Sequence, residues 1–153
     1  LARRGAPWTF DPAALAQRLR RLRDAPVHLA GDDATPSLRW PAYAHGVGDP
    51  QPDAIEIPAT VHLVLLEGLY LLHEADGWHL APLLDECWFL ELPLERAMMR
   101  LRRRHMASWG MDLQQATRRI DANDRLNART VLATRSRAHW LVADVPQEAA
   151  GTA

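Results

Sequence analysis

Apolar residues recur along this 153-residue chain in two rhythms, and the switch between them predicts its elements. In "DPAALAQRLRRLR" leucines stand at positions 15, 19 and 22, spacings of four and three, behind an Asp11–Pro12 pair that supplies an N-cap and a proline at the first helical position. That pattern predicts an amphipathic helix to about Arg23. Residues 25–53 hold many of the prolines and glycines and read as turns and irregular structure. The run "VHLVLLEG", residues 61–68, is almost continuously apolar and closes on an acid and a glycine, as a strand buried on both faces of a parallel sheet does. "ECWFLEL", residues 86–92, reads as a second strand and "HWLVADV", residues 139–145, as a last one. Between them Pro93 opens a helix through Arg104, Gly110 follows it, and "MDLQQATRRID" and "NDRLNARTVLATRSRA" read as two more helices. Strand and helix in alternation predict an α/β fold, a mostly parallel sheet flanked by helices.

Composition narrows the function classes. The length fits one domain with a proper core. No apolar run approaches the roughly 20 residues of a membrane helix, so no membrane partner is expected. A net charge of −1 and the lack of a recognisable binding motif disfavour nucleic acid. The single cysteine, Cys87, excludes an internal disulfide and fits a reducing, cytoplasmic compartment. All 18 basic side chains are arginine, so the chain contains neither a G-x-x-x-x-G-K-[ST] phosphate loop nor a Schiff-base lysine. The chain opens on Leu1 without the pattern of a signal peptide, and the expectation is a piece of a longer protein.

Three places could carry chemistry. Glu67 ends the predicted strand at 61–68, the edge where open α/β sheets place ligands, and a carboxylate there can hold magnesium; equally, it can simply mark the strand's end. Arg96, Arg100, Arg103 and Arg104 recur at helical spacing in "RAMMRLRRRH" and form one stripe, with Arg102 pointing elsewhere. Guanidinium forks match phosphate oxygens, whereas an ordinary solvated face would look the same, with Glu95 and Asp112 as partial partners. Tyr43 and His45 in "PAYAHGVGDP" offer an aromatic ring and an imidazole on a loop, for a substrate or for packing. Other signals fail: His73 and His79 match no zinc spacing, "DANDRLN" lacks the glycine and distal glutamate of a calcium loop, and no serine sits in G-x-S-x-G.

In order and spacing, "RRGAPWTFD" (3–11), "PAYAHGVGDPQPDAI" (41–55), "LLEGLYLL" (65–72), "RLRRRH" (100–105) and "RIDANDRLNARTV" (119–131) resemble the uridine kinase, phosphoribulokinase and type I pantothenate kinase superfamily of P-loop small-molecule kinases. The likeness runs from Arg3 to about Val142 and is greatest to bacterial nucleoside/nucleotide kinase-like members. It implies a three-layer α/β/α fold and transfer of a phosphoryl group from ATP, with Mg2+, to a hydroxyl of a nucleoside, sugar or pantothenate-like substrate. By position, Glu67 would help hold magnesium, and Arg100 and Arg104 would approach the ATP phosphates from a lid at about 93–122. Arg4, Asp11, Tyr43 and His45 would border the acceptor. Asn123, Asp124 and Asn127 match a signature in the helices after the lid, which reads as structural, with Asn123 also assigned to the nucleotide side.

The family's lysine loop and its D-G-[FY]-H strand end, bearing the catalytic base, do not precede Arg3; "DGWHL" at 76–80 imitates the latter on the wrong side of the "EG" run. The resemblance therefore implies the C-terminal two-thirds of a kinase domain, residues 1–145, incomplete at the N-terminus, with a flexible tail at 146–153. Its sheet would be left with an apolar edge, so the fragment either pairs with something, as in a homodimer, or is unstable alone. The alternative is a non-catalytic degenerate kinase or an anion-binding module whose arginine helix holds a phosphorylated ligand.

Overall fold

The helix that Asp11 and Pro12 predict is present: α1 spans Pro12–Asp24 and buries Ala16 and Leu19 on one face. The computed structural model describes residues 3, 5–25, 37–43 and 50–144. Arg4, His45 and the tail at 146–153 lie outside them. Two compact units divide the chain, one of residues 13–68 and one of residues 69–153 with the first twelve.

In the smaller unit the region read as irregular contains a β-hairpin. β1 (Leu38–Tyr43) pairs antiparallel with β2 (Pro50–Ile57), from Leu38 opposite Ile57 to Tyr43 opposite Pro50. The prolines that argued against strands are tolerated because a two-stranded ribbon has only edges, where a missing N–H need not break a ladder. The register slips between Trp40 and Ala42, around Pro41. Arg39 and Glu56 face each other across the pair at 3.1 Å.

The strand expected at 61–68 is a correction in the other direction. Those residues form no strand, and Leu63 and Leu65 are 75% and 88% exposed. An apolar run becomes a strand only when a ladder satisfies its backbone, and no strand among the described residues pairs with it.

The larger unit holds the strand and helices downstream. β3 (Trp88–Glu91) leads into α2 (Leu94–Trp109), which begins at Pro93 and stops at Gly110, a left-handed residue at φ 63°. α3 (Leu113–Arg119) starts from Asp112, whose carboxylate accepts the Gln115 N–H while the Gln115 side chain accepts the Asp112 N–H, a reciprocal cap. The two helices expected at 111–121 and 123–138 join through one wide π-helical turn, Ile120–Asp124, into α4 (Arg125–Leu132). β4 (Trp140–Ala143) then lies parallel to β3, Trp88 opposite Trp140 and Glu91 opposite Ala143. The fold class is α/β; the described strands form this parallel pair and the hairpin.

Alternate residues of a strand share a face, so Cys87 and Phe89 point together into an apolar cluster with Leu72, Val131 and Leu132, and burial pushes the Cys87 thiol up. Trp88 and Leu90 point the other way and are 63% and 71% exposed.

A second core gathers Phe10, Tyr70 and Trp78, with ring centroids 5.5–6.1 Å apart. Tyr70 OH donates to the Gly5 carbonyl at 2.7 Å, and Trp78 Nε1 donates to the Pro7 carbonyl at 3.1 Å. Gly5 stands at φ 91°, a backbone conformation that disfavours any side chain.

Burial pushes the Tyr70 hydroxyl up to about 12, against a smaller opposing pull from Arg3. The unfolded phenol ionises near pH 10 and the folded one does not. Stability from this residue is therefore complete below pH 10 and declines as pH rises through 12. Tyr70→Phe is expected to flatten that decline. Melting curves from pH 8 to 12 check it, and no lysine titrates in the window; an unchanged slope in Tyr70→Phe would assign the decline elsewhere.

Candidate anion-facing site

The arginine stripe lies on α2, and the apolar side of that helix explains its orientation. Met98, Leu101 and His105 follow at spacings of three and four; Met98 and His105 are buried, and the guanidiniums fall toward the rim. α2 packs against α3, α4 and the π-helical turn. A cavity of about 530 Å³ opens beside it. Phe89, Leu92, Met98, Val131 and Leu132 form its apolar floor, and Arg100, Arg104, His105, Arg119, Asp124 and Asn127 carry its polar groups.

His105 is 3% exposed, and its Nε2 lies 2.8 Å from Asp124 Oδ2. A carboxylate only accepts, so Nε2 carries the hydrogen. The other carboxylate oxygen of Asp124 accepts from Asn123 Nδ2 at 3.2 Å. The imidazole stacks on Trp109, centroids 4.6 Å apart and planes 14° apart, and the Arg119 guanidinium lies 4.7 Å from the Trp109 ring centre. This clasp holds the end of α2 to the turn between α3 and α4, and the wide turn carries Asn123 and Asp124 inward.

The expected partners of the stripe are reassigned. Glu95 is bound by Arg125 of α4, which holds its carboxyl below the usual range, and Asp112 caps α3. The carboxylate that meets the arginines is Asp144, just past β4. Arg100 reaches it through two hydrogen bonds of 3.1 Å and Arg96 at 3.2 Å.

Among the residues singled out from sequence, Arg100 and Arg104 share the cavity, and Asn123 is buried in the adjoining turn. Asp11 is exposed ahead of α1, Tyr43 is exposed at the end of β1, and Glu67 sits in the exposed 61–68 run. Sequence reasoning missed His105, Trp109, Arg119 and Asp144. A histidine on the apolar face of a predicted helix was a readable signal for a buried partner, whereas the Asp144 contact spans 44 residues and has no local sign.

The described residues contain no group of three His, Cys, Asp or Glu side chains placed to cage a metal, and no helix among them is long and apolar enough to cross a membrane. Taken together, these elements form an α/β fold with a basic helix after β3 and a cavity edged by Arg100 and Arg104. No protein-family model matches the chain. It is 36% identical over 135 residues to the ATP-dependent kinase-like protein notR' of Aspergillus versicolor, covering 87% of this chain and 76% of that one. It is 28% identical over 151 residues to the ATP-dependent kinase YFH7 of Zygosaccharomyces rouxii, covering 84% of this chain and 40% of that protein. The crystal structure named "putative fructose transport system kinase" from Silicibacter sp. TM1040 superposes with a TM-score of 0.77 at 27% identity, over 92% of this chain and 64% of the other. The chain belongs to the P-loop kinase-like family. It spans three-quarters of the first of these relatives and less than two-thirds of the other two.

Proposed function

We propose that the cavity beside α2 receives the phosphates of ATP, and that the protein transfers a phosphoryl group to a hydroxyl of a small molecule. The observation that carries this reading is the meeting of Arg100 and Arg104 in one cavity of a kinase-like fold. ATP supplies the transferable group, and the transfer needs positioning and charge neutralisation more than covalent chemistry from the protein. Guanidinium forks fit phosphate oxygens, and a cavity with an apolar floor strengthens that attraction by excluding water. Asn123 lies in the turn behind the clasp, and the resemblance assigns it to the nucleotide side.

Magnesium commonly takes one or two carboxylates plus substrate phosphates and waters, and the exposed carboxylate of Glu67 has the right chemistry for that role. The resemblance assigns Arg4, Asp11, Tyr43 and His45 to the acceptor side. Nucleosides, sugars and pantothenate are the acceptor classes it offers. The name of the Silicibacter relative puts sugars first among them. The single cysteine supports a cytoplasmic setting.

Arg104→Ala is the direct test, because loss of one charge-assisted contact to phosphate weakens ATP binding about tenfold. Calorimetric titration with ATP, followed by an ATP-consumption screen against the three acceptor classes, reads both halves. Binding without turnover on any acceptor would select the non-catalytic, anion-binding alternative. Equal ATP affinity in wild type and Arg104→Ala would remove the cavity from the mechanism.

A further inference from the structure

Arg100 and Arg104 stand one helical turn apart on the same cavity, yet they are held differently. Arg104 is exposed and makes no hydrogen bond or ion pair among the described residues. Arg100 is gripped at both ends of its fork, Nη1 by Asp144 Oδ1 and Nη2 by Asp144 Oδ2, each at 3.1 Å. A carboxylate in that position uses the two donors that a phosphate would use. Asp144 is itself anchored: its N–H donates to the Glu91 carbonyl at 3.1 Å, extending the β3–β4 ladder, and its side chain is 19% exposed. The carboxylate is thus tethered by its own backbone, and a guanidinium that turns toward the cavity leaves it behind.

What makes such a departure feasible is the second arginine. Arg96 contacts Asp144 Oδ2 at 3.2 Å from the preceding turn of α2. When Arg100 leaves, Arg96 still neutralises the carboxylate, so no partly buried charge is stranded. We propose that Asp144 is a positioning residue that holds Arg100 in reserve: Arg104 meets the incoming phosphate first, and Arg100 is exchanged from Asp144 to the ligand. The inference rests on the reading of this cavity as a phosphate site. Its consequence is that Asp144 competes with the ligand, so the intact protein binds phosphate less tightly than its arginines allow.

The test is a calorimetric titration of the whole chain with pyrophosphate and, separately, with ATP. Asp144→Asn is expected to tighten pyrophosphate binding about two- to fivefold, the scale of a partly exposed ion pair. The tightening should vanish in the Arg100→Ala background. Arg96→Ala, which leaves Asp144 dependent on Arg100 alone, is expected to weaken binding. A merely structural cluster would lose affinity in both single variants. Unchanged or weaker pyrophosphate binding in Asp144→Asn, a gain that persists without Arg100, or no pyrophosphate binding by either protein overturns the inference. The expected pattern with pyrophosphate alongside no binding of ATP would keep Asp144 in this role and sink the kinase reading. ATP binding that ignores Asp144→Asn would do the reverse.

Discussion

Replacing Trp78 with alanine is expected to lower the unfolding free energy by about 3–5 kcal/mol, the usual cost of deleting a buried aromatic ring. Trp78 is buried, packs against Tyr70 and Phe10, and its indole N–H donates to the Pro7 carbonyl. The substitution leaves a cavity, loses that hydrogen bond and loosens the segment at 5–10 from the turn at 70–78. Trp78→Phe keeps most of the apolar contact and is expected to cost less, with about 1 kcal/mol of it from the lost hydrogen bond. Urea unfolding of both variants checks the order. Equal losses in the two would mean that the ring's packing contributes little beyond the hydrogen bond.

His105→Ala is expected to cost about 3 kcal/mol, at the low end for one partner of a buried pair because the Asp124 side chain is 16% exposed. The variant leaves a carboxylate oxygen without its 2.8 Å donor and removes the ring stacked on Trp109. Asp124→Asn retains an acceptor oxygen for His105 Nε2 and is expected to cost less. The effect should reach function as well as stability, since His105, Asp124, Trp109 and Arg119 all line the cavity that Arg100 and Arg104 face. Urea unfolding with ATP titration on the same samples separates the two consequences. A His105→Ala protein as stable as wild type would show that the clasp is dispensable.

Several elements were legible from local signals because local forces decide them. The start of α1 at Pro12, the Pro93 start and Gly110 stop of α2, and the strands at 88–91 and 140–143 all follow from backbone chemistry and side-chain periodicity. The hairpin of β1 and β2 was hidden by its prolines, which are a poor guide where every strand is an edge. The 61–68 run was misread for the opposite reason: its apolar pattern is real, but a strand is defined by a partner, and periodicity does not reveal whether one is there. In the helical region the pattern placed two helices on either side of residue 122, yet the π-helical turn that joins them depends on how Ile120 and Asn123 pack.

By itself, the sequence determined the α/β class, the helix that carries the arginines and the spacing that puts Arg100 and Arg104 on one stripe. Composition also determined that the chain's permanently cationic side chains are all arginine, since it has no lysine. Only the tertiary structure decided which carboxylate Arg96 and Arg100 meet. Glu95 and Asp112 are near them in sequence but are engaged by Arg125 and by the cap of α3. Asp144 is 44 residues from Arg100 and reaches it because β4 pairs parallel to β3, the strand that leads into α2. Helical spacing is a property of consecutive residues and can be read along the chain. An ion pair closed by strand pairing is a property of the fold and exists only once the ladder has formed.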